Sequence, residues 1–127
     1  MILGQLTINL TQHPATPAQI EQGVVRLAEE DERKVRQLLT FNELPTPDEV
    51  RERAERIADM AARYEADAAM IGGAPYLMPP LERALRERGI KPLYAFSRRE
   101  VREEKQDDGS VKKVSVFKHV GFVEGCL

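Results

Sequence analysis

Residues 68–73 read Ala68-Ala69-Met70-Ile71-Gly72-Gly73. Four apolar residues in a row, without polar alternation, fit a short strand covered on both faces, as central strands of parallel sheets are. The glycine pair ends it. Immediately upstream, Thr46-Pro47-Asp48-Glu49 carries the signature of a helix start: a capping threonine, proline at the first helical position and an acid three residues after the cap. The helix this opens runs to about Tyr64, and Val50, Ala54, Ile57, Ala61 and Tyr64 recur at spacings of four and three, forming one apolar stripe for a sheet or neighbouring helix. Downstream, a helix from about Pro79 to Arg88 turns Leu81, Ala84 and Leu85 inward and stops at Gly89. Pro92 to Ser97 is the next strand.

Moving further out, Leu6-Thr7-Ile8-Asn9-Leu10 reads as a first strand that stops at the polar run Thr11-Gln12-His13-Pro14. A second capping signature, Thr16-Pro17-Ala18-Gln19, begins a short helix closed by Gly23. Val24 to Leu27 is a short second strand, and Glu29 to Leu39 a charged helix with Val35, Leu38 and Leu39 on one face. Phe41 to Pro45 is a connector. At the other end, Arg99–Lys105 and Val111–Val123 flank Gln106-Asp107-Asp108-Gly109-Ser110, whose Asp-Gly signals a hairpin. The order predicts an α/β fold: one domain over residues 1–127, with a mostly parallel open sheet, flanking helices, right-handed crossovers and a C-terminal antiparallel β-hairpin, the ribbon covering about 98–124.

Composition narrows the function classes. With 127 residues the chain has room for one core, and 42% hydrophobic with 31% charged residues is ordinary for a soluble globular protein. No stretch is apolar enough to span a bilayer, and the N-terminus has neither the positive region nor the apolar core of a signal peptide. The single cysteine, Cys126, excludes an internal disulfide and fits a reducing, cytoplasmic setting as an incidental thiol. A net charge of −2 argues against broad neutralisation of duplex nucleic acid, although a local basic pocket is compatible with it.

In an open parallel sheet ligands sit outside the carboxyl ends of the strands, so three segments are candidates: Thr11-Gln12-His13, Gly72-Gly73-Ala74-Pro75-Tyr76, and Ser97-Arg98-Arg99. The glycine pair would let a ligand approach the backbone, and the turn after it leads towards a helix N-terminus suited to phosphate. It fits neither of the common phosphate-loop patterns, and a plain tight turn explains it equally. Arg98 or Arg99 could hold a phosphate bidentately, or be surface charge paired with Glu100, Glu103 and Glu104. His13 could donate to phosphate or transfer a proton, or cap local backbone. His119 is expected to be packed on the ribbon, sharing a face with Phe117. Two isolated histidines and one cysteine do not make a zinc site, no nucleophile elbow is present, and no cofactor is expected.

The strand end Asn9-Leu10-Thr11-Gln12-His13, the Gly72-Gly73 loop and the tail from Phe96-Ser97-Arg98-Arg99 through Asp108-Gly109-Ser110-Val111-Lys112-Lys113 to Val116-Phe117-Lys118-His119-Val120 together resemble small CRISPR-associated Rossmann-fold proteins, a family that includes ring nucleases, and a group of prokaryotic and phage proteins. The resemblance implies a homodimer binding a cyclic oligoadenylate across its two-fold axis. It further implies that His13 assists proton transfer and Arg98 or Arg99 stabilises phosphate. Thr11, Gln12, Gly72, Gly73, Ala74, Tyr76 and Ser97 would surround the ligand, and cleavage would need no metal. A non-catalytic sensor or sponge for the same ligand, and a purely structural dimer, are the alternatives.

Overall fold

A computed structural model of the protein describes residues 5–125; Cys126 therefore lies outside the described residues, as does the start of the N-terminal segment. The elements are β1 (Thr7–Asn9), α1 (Pro17–Glu21), β2 (Val24–Val25), α2 (Glu29–Leu39), α3 (Pro47–Arg63), β3 (Ala68–Met70), α4 (Met78–Glu87), β4 (Lys91–Lys105) and β5 (Val111–Glu124). They build one five-stranded sheet in the order β2-β1-β3-β4-β5. The first four strands run parallel and β5 runs antiparallel to β4. The α/β architecture with a terminal hairpin is thus the one the sequence predicts.

The strand order reverses between β1 and β3. Because parallel crossovers are right-handed, that reversal sends α1 to one face and α2, α3 and α4 to the other, where α3 packs on both α2 and α4. The core lies on this second face: Ile8, Leu10, Ala69 and Ile71 from the sheet meet Val35 and Leu39 of α2, the Val50–Ala54–Ile57–Ala61 stripe of α3, and Leu81 and Leu85 of α4. Tyr64 completes the stripe. Its hydroxyl accepts from the Ala28 N–H and donates to Asp31, tying the end of α3 to the start of α2. Burial, with the bond to Asp31, raises the phenol above its ordinary pKa.

Both threonine caps form. Thr46 Oγ1 accepts from the Glu49 N–H at 3.2 Å. Thr16 and Gln19 make a reciprocal capping box, at 3.2 and 3.0 Å. Each cap contributes about 1 kcal/mol by satisfying an N–H that the helix leaves open. Among the described residues no helix is long and apolar enough to cross a membrane.

The sequence reading fails at one junction. It separates a strand ending at Ser97 from a ribbon starting near Arg99, whereas β4 is one continuous strand from Lys91 to Lys105. Its partner explains why: β5 supplies a ladder through the polar stretch, with Glu103 opposite Lys113 and Glu104 opposite Lys112, cross-strand pairs of opposite charge. The β4–β5 ladder is irregular between Phe96 and Ser97, where β5 carries Val120 as an extra residue between Gly121 and His119. Gln22, at the end of α1, straps this bulge: its Nε2 donates to the Val120 carbonyl at 3.3 Å, and its Oε1 lies 2.9 Å from His119 Nε2. His119 is packed as expected, its ring 4.9 Å from that of Phe122.

Candidate functional site

Asn9, the last residue of β1, is buried and polar, and its side chain shapes the loop that follows. Its Oδ1 accepts from the Thr11 N–H at 2.9 Å and lies 2.7 Å from Thr11 Oγ1, while its Nδ2 donates to the His13 carbonyl at 2.8 Å. This is an Asx turn, in which an amide side chain stands in for the backbone. Gln12 Nε2 reaches across to Thr40 Oγ1 at the end of α2, at 3.2 Å. The loop is fixed through its backbone and through Gln12, leaving the exposed His13 imidazole with no hydrogen-bond partner among the described residues.

Across the reversal point, Ile71 still donates to β4 through Leu93 O, but the next two N–H groups, of Gly72 and Gly73, have no partner among the described residues. Gly73 has φ +149°, a conformation that side-chain-bearing residues rarely adopt. Gly72 is different: a Cβ there would only touch Thr11 Cγ2 at 3.7 Å, an ordinary contact.

The expected phosphate cradle at the following helix does not exist. Positions 79 and 80 in the first turn of α4 are prolines, which have no N–H. Met78 N–H is spent on Pro75 O, and Leu81 N–H on Leu77 O. The open donors belong to the glycine pair instead.

A cavity of about 310 Å³ lies between these two loops, lined by Thr11, Gln12, His13, Pro14, Thr16, Gln19, Met70, Ile71, Gly72, Gly73 and Ala95. A second, of about 340 Å³, shares Thr11 to Pro14 as a wall and continues over the carboxyl end of β2, where Arg26, Glu32 and Arg36 line it. Arg26 grips Glu32 with Nε 3.0 Å from each carboxylate oxygen, and the bond holds its pKa above the ordinary value. Arg36 has no ion-pair partner among the described residues. Sequence reasoning missed Asn9, Arg26 and Arg36. An Asn two residues before a Thr at a strand end was a readable signal; Arg26 was absorbed into a strand that in fact ends at Val25, and Arg36 into a solvated helix face.

Of the expected site residues, Thr11, Gln12, His13, Gly72 and Gly73 converge. Ala74 packs on the core instead. Tyr76 stands edge-on to Phe41, ring centroids 5.2 Å apart, in a separate apolar groove with Leu44, Pro79 and Pro80. Ser97, Arg98 and Arg99 sit within β4, and none of them lines either cavity. Arg99 is held on Ser115 Oγ, at 2.9 and 3.1 Å, and Arg98 lies opposite Lys118.

Residues 5–123 match the profile of the Uncharacterized protein MJ1673 family. The chain belongs to this family. No curated protein and no solved structure matches it. The family match runs from β1 into β5, so it takes in both the cavity loops and the hairpin of this MJ1673-family chain.

Proposed function

We propose that the protein binds a phosphate-bearing nucleotide, with cyclic oligoadenylates the first class to test, in the paired cavities at the carboxyl ends of β1, β2 and β3. One observation carries the reading: at the reversal of strand order, where open parallel sheets take their ligands, Gly72 and Gly73, whose N–H groups have no partner among the described residues, line one cavity together with His13, whose imidazole has none either. Backbone N–H groups and a histidine are suited to phosphate oxygens, and a ligand spanning both cavities also meets Arg36. Their combined size suits a nucleotide, since small-molecule sites run from about 300 to 1,000 Å³.

Binding without turnover is the better-supported form. Among the described residues His13 is the sole titratable side chain lining the cavity at the strand reversal, and Arg98 is not part of that lining. The test is a thermal-shift panel of cyclic oligoadenylates and other cyclic nucleotides in EDTA, with the nucleotide identified by chromatography afterwards. At a hundredfold excess over Kd, ligand binding adds about 2.7 kcal/mol and raises the melting temperature by several degrees. His13→Ala and Arg36→Ala are expected to shrink the shift, and the ligand is expected back intact. Linear products would replace this reading with a metal-independent phosphodiesterase, and a flat response to every nucleotide would end both.

A further inference from the structure

The hairpin is poorly supported by its own chain. β3 pairs with β4 only as far as Leu93, so from Phe96 outward β4 and β5 have no other strand beside them. A lone two-stranded ribbon is marginal in water. This one also leaves large apolar side chains in solvent: Phe117 is 76% exposed and Val101 62%, with Phe96, Val111, Val120 and Val123 close behind. The outer edge of β5, fourteen residues long, has no strand against it among the described residues.

We propose that β5 pairs antiparallel with β5 of a second copy of this chain, on a two-fold axis passing beside Phe117, so that two five-stranded sheets join into one. The self-register of the strand selects the partner. Centred on Phe117, the pairing sets Phe117 against Phe117 and Val114 against Val120, while Val116 meets Lys118 and Ser115 meets His119; no lysine faces a lysine. Aromatic pairs and aliphatic pairs directly opposite each other stabilise an antiparallel ladder, and like charges oppose it. A centre on Lys118 places that residue against itself, and a centre on Ser115 places Lys112 against Lys118. A centre on Val116 also keeps the lysines apart but sets Phe117 against Ser115 and Val114 against Lys118, losing the aromatic pair and the aliphatic pair beside it, and a centre on Val114 uses only the strand's first half, from Val111 to Phe117. Lysines on an edge commonly block pairing with arbitrary strands; here their positions leave the Phe117-centred register open. Pairing through β5 does not depend on a ligand in the cavities at the carboxyl ends of β1, β2 and β3.

The test uses the full chain with Cys126→Ser. Light scattering on a sizing column should report a dimer, and Phe117→Glu, which sets two carboxylates face to face at an exposed position, should weaken it at least tenfold while leaving the melting of the body unchanged. Mild oxidation should crosslink Phe117→Cys nearly completely, because residues directly opposite have Cα atoms about 5 Å apart. Lys118→Cys and Val116→Cys should crosslink poorly, their diagonal separation of about 7–8 Å exceeding the ~7 Å that a disulfide spans. A monomer at high micromolar concentration overturns the proposal. So does a dimer that survives Phe117→Glu, or one in which the three cysteine variants crosslink alike.

Discussion

The sheet has two halves built on opposite terms. In the body, β1, β2 and β3 are two or three residues long, and all but Val25 of their residues are buried. In the hairpin, β4 and β5 are fifteen and fourteen residues long, and beyond the end of β3 most of their residues are exposed on both faces. The body has few ladder hydrogen bonds and much covered apolar surface. The hairpin has many ladder bonds and little cover. Buried area dominates folding free energy, while a hydrogen bond exchanged with water contributes modestly, so stability should concentrate in the body even though the hairpin holds the longer strands.

That contrast can be broken by substitution. Leu85→Ala removes a fully buried side chain of α4 that packs in the core, and is expected to cost about 2–5 kcal/mol in urea unfolding; a loss under ~0.5 kcal/mol, the scale of a surface change, would mean that the body is not where stability lies. Asn9→Ala is the intermediate case. It strands Thr11 and the His13 carbonyl and should cost about 1–3 kcal/mol, together with loss of any nucleotide-induced thermal shift. An unchanged shift would separate the loop's shape from ligand binding.

The smallest effect is at the hairpin turn. The Ser110 hydroxyl and N–H both bond Asp108 Oδ1, at 2.6 and 2.9 Å, and hold that carboxyl below the usual aspartate value. A carboxyl whose folded pKa lies below its unfolded one lends its support above the unfolded value, about 3.9, and withdraws it as pH falls through the folded one. An acid titration followed at the Ser110 amide should therefore show a midpoint below that of an ordinary aspartate, without loss of the body's signals. A midpoint at the ordinary value would show that Ser110 does not hold the carboxylate.

Local chemistry was legible in the sequence where the cause is local. Thr16-Pro17 and Thr46-Pro47 announce helices because cap and first turn are neighbours in the chain, and the run at 68–71 announces a covered strand because its own side chains say so. The junction at Ser97 was not legible, since only a strand more than ten residues away makes Arg98 and Arg99 part of a ladder. The site divides in the same way. The Thr11–His13 and Gly72–Gly73 loops follow from strand ends and the rule that ligands gather there. Arg36 joins them only because α2 folds back past β1. The two prolines at positions 79 and 80 were in plain view, and their missing N–H groups were sufficient to exclude the helix terminus as a phosphate cradle.

The register of the sheet also sets an order in time. β5 returns to β4 through a turn of five residues, from Gln106 to Ser110, and closing so short a loop belongs to the microsecond scale of hairpins. β1 reaches β3 by pairing Thr7 with Ala68, so the central pair of the sheet must close a span of about sixty residues before its contacts repay the entropy. The part of the molecule with least cover is thus the part a complete chain refolding from the unfolded state can form first, and the most protected pairing waits until β1 and β3 are brought together.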